Sequence, residues 1–217
     1  MERQLEPELM DDPAGAAAYA RADFHDSDDL FVAAVRRCTE SNVRTVLDLG
    51  CGPGALTIRL AQALPGVALT AVDGSAAMIA LARDAVQRAG LDTHVTLLQE
   101  RLQDLRLPAG AFDAVLSKDL LHHLPEASTL WTTVARLARR DAAVCVMDLI
   151  RPDSQEAARQ IVDRVAGSAD PILQQDFYNS LGAAFSLEEV RAQLASAGLP
   201  LRVETIGDRH LLITGRR

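Results

Sequence analysis

The stretch Val46-Leu47-Asp48-Leu49-Gly50-Cys51-Gly52-Pro53-Gly54 decides the fold of this 217-residue chain. Residues 45–49 form a short apolar run that ends in glycines, as a strand buried in a parallel sheet does. Leu56, Leu60 and Leu64 follow at i, i+4 and i+8, which is one face of a helix. Glycines between strand and helix let the backbone turn sharply and let a ligand approach where no Cβ intervenes. The helix start behind them offers unpaired N–H groups. Taken alone, the loop fits a tight strand–helix turn or a ligand cradle.

Working outward, the alternation continues. Strands are expected at 67–72, 95–98, 114–117 and 143–150. Ser75 caps a helix with Met78, Ala82 and Ala89 inward and Gly90 as its stop, and another helix runs through Leu130, Val134 and Leu137. Upstream, residues 1–12 read as a solvated tail. Asp12-Pro13 opens an Ala-rich helix that ends near Asp23-Phe24, and a second spans about 27–39 with Leu30, Ala34 and Val35 on one face. Downstream the rhythm breaks into two consecutive helices over 153–182. Asp153 with Glu156 forms a capping box for the first, and Asp170-Pro171 opens the second. Ser186 and Glu189 box a further helix that stops at Gly198, and strands at 202–206 and 211–214 close the chain. Strand–helix alternation implies an α/β fold with helices on both faces of a mostly parallel sheet. Ligands bind such sheets beyond the C-terminal strand ends, at the switch point.

Composition narrows the function. Twenty-two basic and 30 acidic residues give a net charge of -8, which argues against a generic nucleic-acid binder. Hydrophobic content of 48% supports a full core in one domain. The longest apolar run, residues 142–150, is interrupted by Asp148 and is too short for a membrane span. Glu2, Glu6, Glu8, Asp11 and Asp12 are the opposite of a signal peptide's basic start, so a cytoplasmic location is expected. Cys38, Cys51 and Cys145 are too few for a disulfide framework or zinc site; Cys38 and Cys145 read as buried hydrophobes. Only one of the basic residues is a lysine, Lys118.

Asp73 closes the second strand about 20 residues beyond the glycine loop, where a carboxylate can accept both hydroxyl protons of a ribose. After the fourth strand come Ser117-Lys118-Asp119-Leu120 and then His122-His123. Asp119 and His123 share a face if a helix begins here. Such a pair either makes the imidazole a general base or merely orients the loop. A metal on Asp119, His122 and His123 lacks a further ligand, and no metal is expected. Lys118 is either an anchor for an anionic substrate or a solvent-facing loop residue.

The glycine loop, then Ala71-Val72-Asp73-Gly74-Ser75-Ala76-Ala77-Met78, then Phe112-Asp113-Ala114-Val115-Leu116-Ser117 with Leu120-Leu121-His122-His123-Leu124, resembles the Rossmann-like (class I) S-adenosylmethionine-dependent methyltransferases of small-molecule type. The resemblance covers about residues 44–150. It implies a seven-stranded sheet with an antiparallel final strand, N-terminal helices, and a helical insertion after the fifth strand. It divides one domain, 1–217, into a cap (1–43), a cofactor-binding core (44–150), a lid (151–185) and a C-terminal helix with strands (186–217).

By the same resemblance Gly50, Gly52 and Gly54 face the methionine part of S-adenosyl-L-methionine. Asp48 helps hold its ammonium, directly or through water, and Asp73 binds the ribose with Gly74 and Ser75 beside it. Ser117 completes the set at the fourth strand. The adenine segment is atypical: Gln99-Glu100-Arg101-Leu102 carries its acid one position early, and Arg101 stands where Asp is usual. Leu102 could supply a backbone N–H. Charge agrees with this donor, because Asp48 would repel a dinucleotide's pyrophosphate and the third glycine comes one residue early for a nicotinamide fingerprint.

The expected reaction is methyl transfer to an oxygen or nitrogen of a small molecule. His123, His122 and Asp119 are the catalytic candidates, and Tyr19, Phe24, Lys118, Arg151, Tyr178 and His210 the substrate-side candidates. No nucleic-acid or membrane partner is expected, and the chain is expected to be a monomer or homodimer. The rivals are a cofactor-binding protein without transferase activity and a protein or RNA methyltransferase.

Overall fold

The computed structural model describes residues 1–39 and 42–217. Helices α1 (Pro13–Arg21) and α2 (His25–Cys38) precede strand β1 (Thr45–Leu49). Then follow α3 (Ala55–Ala63), β2 (Ala68–Asp73), α4 (Ala76–Arg88), β3 (Val95–Gln99), β4 (Phe112–Lys118), α5 (Ser128–Leu137) and β5 (Ala138–Leu149). Helices α6 (Gln155–Ala166), α7 (Pro171–Ala183) and α8 (Leu187–Ala197) lead to β6 (Arg202–Ile206) and β7 (His210–Arg216). The seven strands lie in the order β3-β2-β1-β4-β5-β7-β6. β1 to β5 are mutually parallel, and β7 runs antiparallel to both β5 and β6. Strand order reverses between β1 and β4, so the crevice opens where their C-terminal loops part.

Alternation along the strands makes two cores. Leu47 and Leu49 of β1 join Val115, Val144, Trp131 and Val134 on one face. Val46 joins Phe31, Leu60, Ile79, Leu116 and Met147 on the other. A residue outward on one face is inward on the other, which is why the β1 run is almost wholly apolar. Ser75 caps α4 by accepting from Met78 N at 3.2 Å, and Ser186 with Glu189 completes a capping box on α8.

Five expectations need correction. Ala89 is exposed at the end of α4, whose buried face is Met78, Ile79, Ala82 and Val86. The buried face of α2 is Phe31, Ala34 and Val35, while Leu30 is 39% exposed, because only the i, i+3, i+4 set faces the sheet. Ser154, not Asp153, caps α6, accepting from Ala157 N at 3.1 Å. Cys38 is half-buried rather than buried, and its thiol meets that of Cys145 across α2 and β5. Residues 1–12 are not a free tail. The Arg3 guanidinium donates to the carbonyls of Ala183, His122 and Leu124 at 2.6, 3.0 and 2.9 Å, and stacks 3.8 Å from the Phe185 ring centre. Gln4 N donates to Gly182 O, and Ser75 Oγ to Met10 O at 2.8 Å. This segment is a strap across the C-terminal ends of the strands. Among the described residues no helix is long and apolar enough to cross a membrane.

Candidate active site

A cleft lies at the switch point, where ligands bind in sheets of this kind. Its floor is the glycine loop and the β2 exit: Gly50, Gly52, Asp73 and Gly74. Its far wall is Lys118, Asp119, Leu120 and His123, and its roof is Leu9, Met10 and Tyr19.

The floor is held by the backbone. Gly50 N and Cys51 N both donate to Val72 O, at 2.8 and 3.0 Å. Asp73 Oδ2 accepts from Gly52 N at 2.9 Å, and Oδ1 from Ser75 N at 2.8 Å. The carboxylate is thereby fixed and keeps lone pairs for hydroxyl donors in the cleft. Burial pushes its pKa up, against those two N–H bonds. Gly52 has a φ of +53° and nothing within 4 Å of where a Cβ would stand, so a side chain here would project into open cleft. A Cβ on Gly50, also at positive φ, would come within 2.9 Å of Leu120.

Gly54 has a different task from the one expected. It lies off the cleft wall, and its Cβ would meet Ala82 of α4 at 3.1 Å, so it serves close helix packing. Asp48 is buried behind the loop, where it accepts from Thr57 Oγ1 at 2.8 Å. Burial pushes its pKa to about 6, opposed by Thr57 and aided by Asp73. Ser75 faces the strap and α4, and Ser117 Oγ donates to Leu49 O inside the sheet. Of the adenine segment, Arg101 and Leu102 reach the cleft, while Glu100 turns away and accepts from Arg106 N at 3.3 Å.

The far wall departs most from expectation. No α-helix begins after β4. Asp119 takes a left-handed backbone (φ 54°), and residues 121–123 form a single 3₁₀ turn. Asp119 and His123 therefore do not pair. Asp119 binds Lys118 Nζ, and its Oδ1 is buried without a partner. Lys118 is buried and lies 3.3 Å from Asp28, so it is neither a solvent-facing residue nor a free cation for an anionic substrate. Burial works against its charge, but Asp119, Tyr19 and Asp28 outweigh it and raise its pKa. Burial likewise raises that of Tyr19, whose ring packs on Phe24 at 4.7 Å.

His122 sits behind the wall. Its Nδ1 is 2.7 Å from Asp148 Oδ1, and its Nε2 is 3.4 Å from Glu6 Oε1. Burial opposes its charge, yet Asp148 and Glu6 raise its pKa to about 9. Asp148 Oδ2 accepts from Leu121 N at 2.7 Å, fixing the turn. His123 Nδ1 lies 3.0 Å from Glu6 Oε1. Burial would raise the pKa of Glu6, but His123, His122 and Ser180 hold it low.

Three substrate-side candidates fall elsewhere. Arg151 donates to Ala184 O and pairs with Glu189 at the base of α8. Tyr178 lines a separate groove between α6 and α7, beside Arg159. His210 is buried at the start of β7, paired in register with Leu149, and burial lowers its pKa against the pull of Asp119. Glu6, Leu9, Met10, Asp28 and Asp148 were not anticipated. Each reaches the site through a contact distant in sequence, and only the density of acids in residues 2–12 offered a hint.

Known proteins place this architecture. A family model described as a methyltransferase domain matches residues 46–141. The chain is 28% identical over 154 residues to 27-O-demethylrifamycin SV methyltransferase of Amycolatopsis mediterranei, covering 71% of this chain and 53% of that one. It is 34% identical over 139 residues to release factor glutamine methyltransferase of Gloeobacter violaceus, covering 63% and 48%. The chain thus spans about half the length of these curated relatives. A crystal structure of a SAM-dependent methyltransferase from Aquifex aeolicus superposes with a TM-score of 0.71 at 21% identity, over 94% of this chain and 98% of that one. The sheet order, the glycine floor and Asp73 at the β2 exit thus accompany a match to a methyltransferase domain over residues 46–141, on a fold shared with a SAM-dependent methyltransferase.

Proposed function

We propose that the chain transfers the methyl group of S-adenosylmethionine to an oxygen or nitrogen of a small-molecule acceptor. One observation carries this reading. The cleft joins an uncharged glycine floor with a fixed carboxylate to a polar far wall, under a roof of Leu9, Met10 and Tyr19. A roofed cleft suits an acceptor that can be enclosed. The sulfonium donor is already activated, so the protein's work is to align the acceptor and exclude water.

Gly50 and Gly52 would border the methionine part, Asp73 the ribose, and Arg101 and Leu102 the adenine. Asp48, buried behind Thr57, would reach the ammonium only through water. Asp119 and His123 are the polar groups that meet the acceptor, with Tyr19 over it. Lys118 positions Asp119, and Phe24 positions Tyr19.

The Gloeobacter relative favours a second reading, methylation of a protein side chain. The roof counts against it, because a protein acceptor needs an open approach. The deciding experiment supplies methyl-labelled donor with pooled small metabolites and, separately, with protein and RNA fractions. Label in the metabolite pool is expected. Label confined to protein or RNA overturns the reading. Tight donor binding with no label in any pool favours a non-catalytic cofactor binder.

A further inference from the structure

We propose that Glu6, His122 and His123 form a binding site for one divalent first-row transition ion of the zinc or iron(II) class, with Asp148 supporting it from behind. Among the described residues this is the one group of three or more His, Cys, Asp or Glu side chains whose ligand atoms converge, all within 4.8 Å of one another. Glu6 Oε1 lies 3.0 Å from His123 Nδ1 and 3.4 Å from His122 Nε2. Two ligands each about 2.1 Å from a metal stand about 3.0 Å apart in octahedral and about 3.4 Å apart in tetrahedral geometry. The two separations from Glu6 fall at these values, and the two ring nitrogens lie within 4.8 Å of each other.

An ion pair alone explains only part of the cluster. A protonated His122 between Asp148 and Glu6 would satisfy that ring. It would leave His123 Nδ1 as it stands, buried and without a hydrogen-bond partner although Glu6 is 3.0 Å away. A ring nitrogen this close to a carboxylate yet outside hydrogen-bond geometry leaves room for a third partner at a point between them. Buried polar atoms are rarely left so without a function or a missing ion. A cation bound at that point takes the His123 lone pair.

The surroundings are those of a metal ligand set. His122 Nδ1 is bonded to Asp148 at 2.7 Å, which turns the lone pair of Nε2 toward Glu6. Carboxylate–histidine–metal relays fix ligand tautomers in this way. The carboxylates of Glu6 and Asp148 balance a double positive charge. Two imidazoles with one carboxylate select zinc, iron(II) or cobalt(II) over magnesium and calcium, which prefer oxygen. The cluster was hidden in the sequence because Glu6 comes from the strap and the histidines from the turn after β4. Three protein ligands leave a position open. His123 and Leu124 line the cleft, so an oxygen or sulfur of the acceptor could take that position. This last step rests on the small-molecule reading, whereas ion binding does not.

The test uses the full chain, stripped with a chelator and titrated with cobalt(II), following the visible d–d absorption, with zinc as competitor. One equivalent should bind and be displaced by zinc. Glu6→Gln and His123→Gln should each weaken binding at least tenfold, and Asp148→Asn by about 10- to 100-fold. Circular dichroism checks that each variant is folded; removal of residues 1–7 tests Glu6 again with both histidines intact. Absence of a cobalt spectrum at stoichiometric concentration overturns the proposal. So does unchanged affinity in folded Glu6→Gln and His123→Gln. Neither donor nor acceptor is present, so failure here is distinguishable from failure of the methyl-transfer reading.

Discussion

The floor under β1 and β2 and the wall beyond β4 meet in one cleft, but they hold their polar groups by opposite means. On the floor, Asp73 is fixed by backbone N–H groups of Gly52 and Ser75, which belong to the loops after the neighbouring strands β1 and β2. On the wall, Lys118 is matched to Asp28 of α2, and His122 to Asp148 of β5 and Glu6 of the strap. The floor needs only the local fold. The wall exists only when distant elements have docked. Its charges are paired with one another in a dry setting, where an uncompensated partner is costly.

The sharpest way to break this contrast is Lys118→Met. It leaves Asp119 buried without its cation and Asp28 with only Arg59, 3.6 Å away, and should cost about 3–5 kcal/mol. Urea unfolding measures this; a loss below about 1 kcal/mol would mean that the wall does not depend on its pairing. Asp48→Asn probes the floor through pH. Burial raises the folded pKa of Asp48 to about 6, so its contribution is fully present below the unfolded value and is lost as pH rises through about 6. The wild-type chain without cofactor should lose up to about 3 kcal/mol on this account between acid and neutral pH, and Asp48→Asn should not. Parallel pH–stability curves for the two would refute the assignment.

Asp73→Ala should weaken cofactor binding at least tenfold, because hydrogen bonds to a charged group are worth about 1.5–3 kcal/mol. Calorimetry with S-adenosylhomocysteine reads this directly, and an unchanged affinity would remove Asp73 from the ribose. Arg3→Ala is the mildest change. It should cost about 1 kcal/mol of strap docking, seen as faster proteolysis within residues 1–12 with global stability nearly kept. A strap that stays equally protected would show that Gln4, Glu6 and Met10 suffice.

The same contrast explains what the sequence could reveal. The succession of strands and helices, the glycine turn and Asp73 were legible because each is written in adjacent residues: an apolar run, a change of period, a cap. Even there, nearness misled. Gly54 packs against α4, because a shared motif does not say which way each residue faces. The wall was legible in its residue types but not in their pairing. Asp119 and His123 are four apart, which suggests a helical pair, but the left-handed turn at Asp119 sends them to different partners. The strap was read as a tail because acids at its start carry no periodicity, and its apolar contacts through Leu9 and Met10 are too few to register.

The strap also sets an order of assembly. Residues 3–10 leave the ribosome before the turn after β4, α7 and Phe185, to which they bind, so they must wait for most of the chain. Closing so long a loop adds little to its entropic cost, which grows only with the logarithm of length, but it fixes the sequence of events. The floor can form while synthesis continues, and the roof is laid only when α7 and the turn at Phe185 are in reach. A nascent chain stalled before residue 185 would hold an open, unroofed floor.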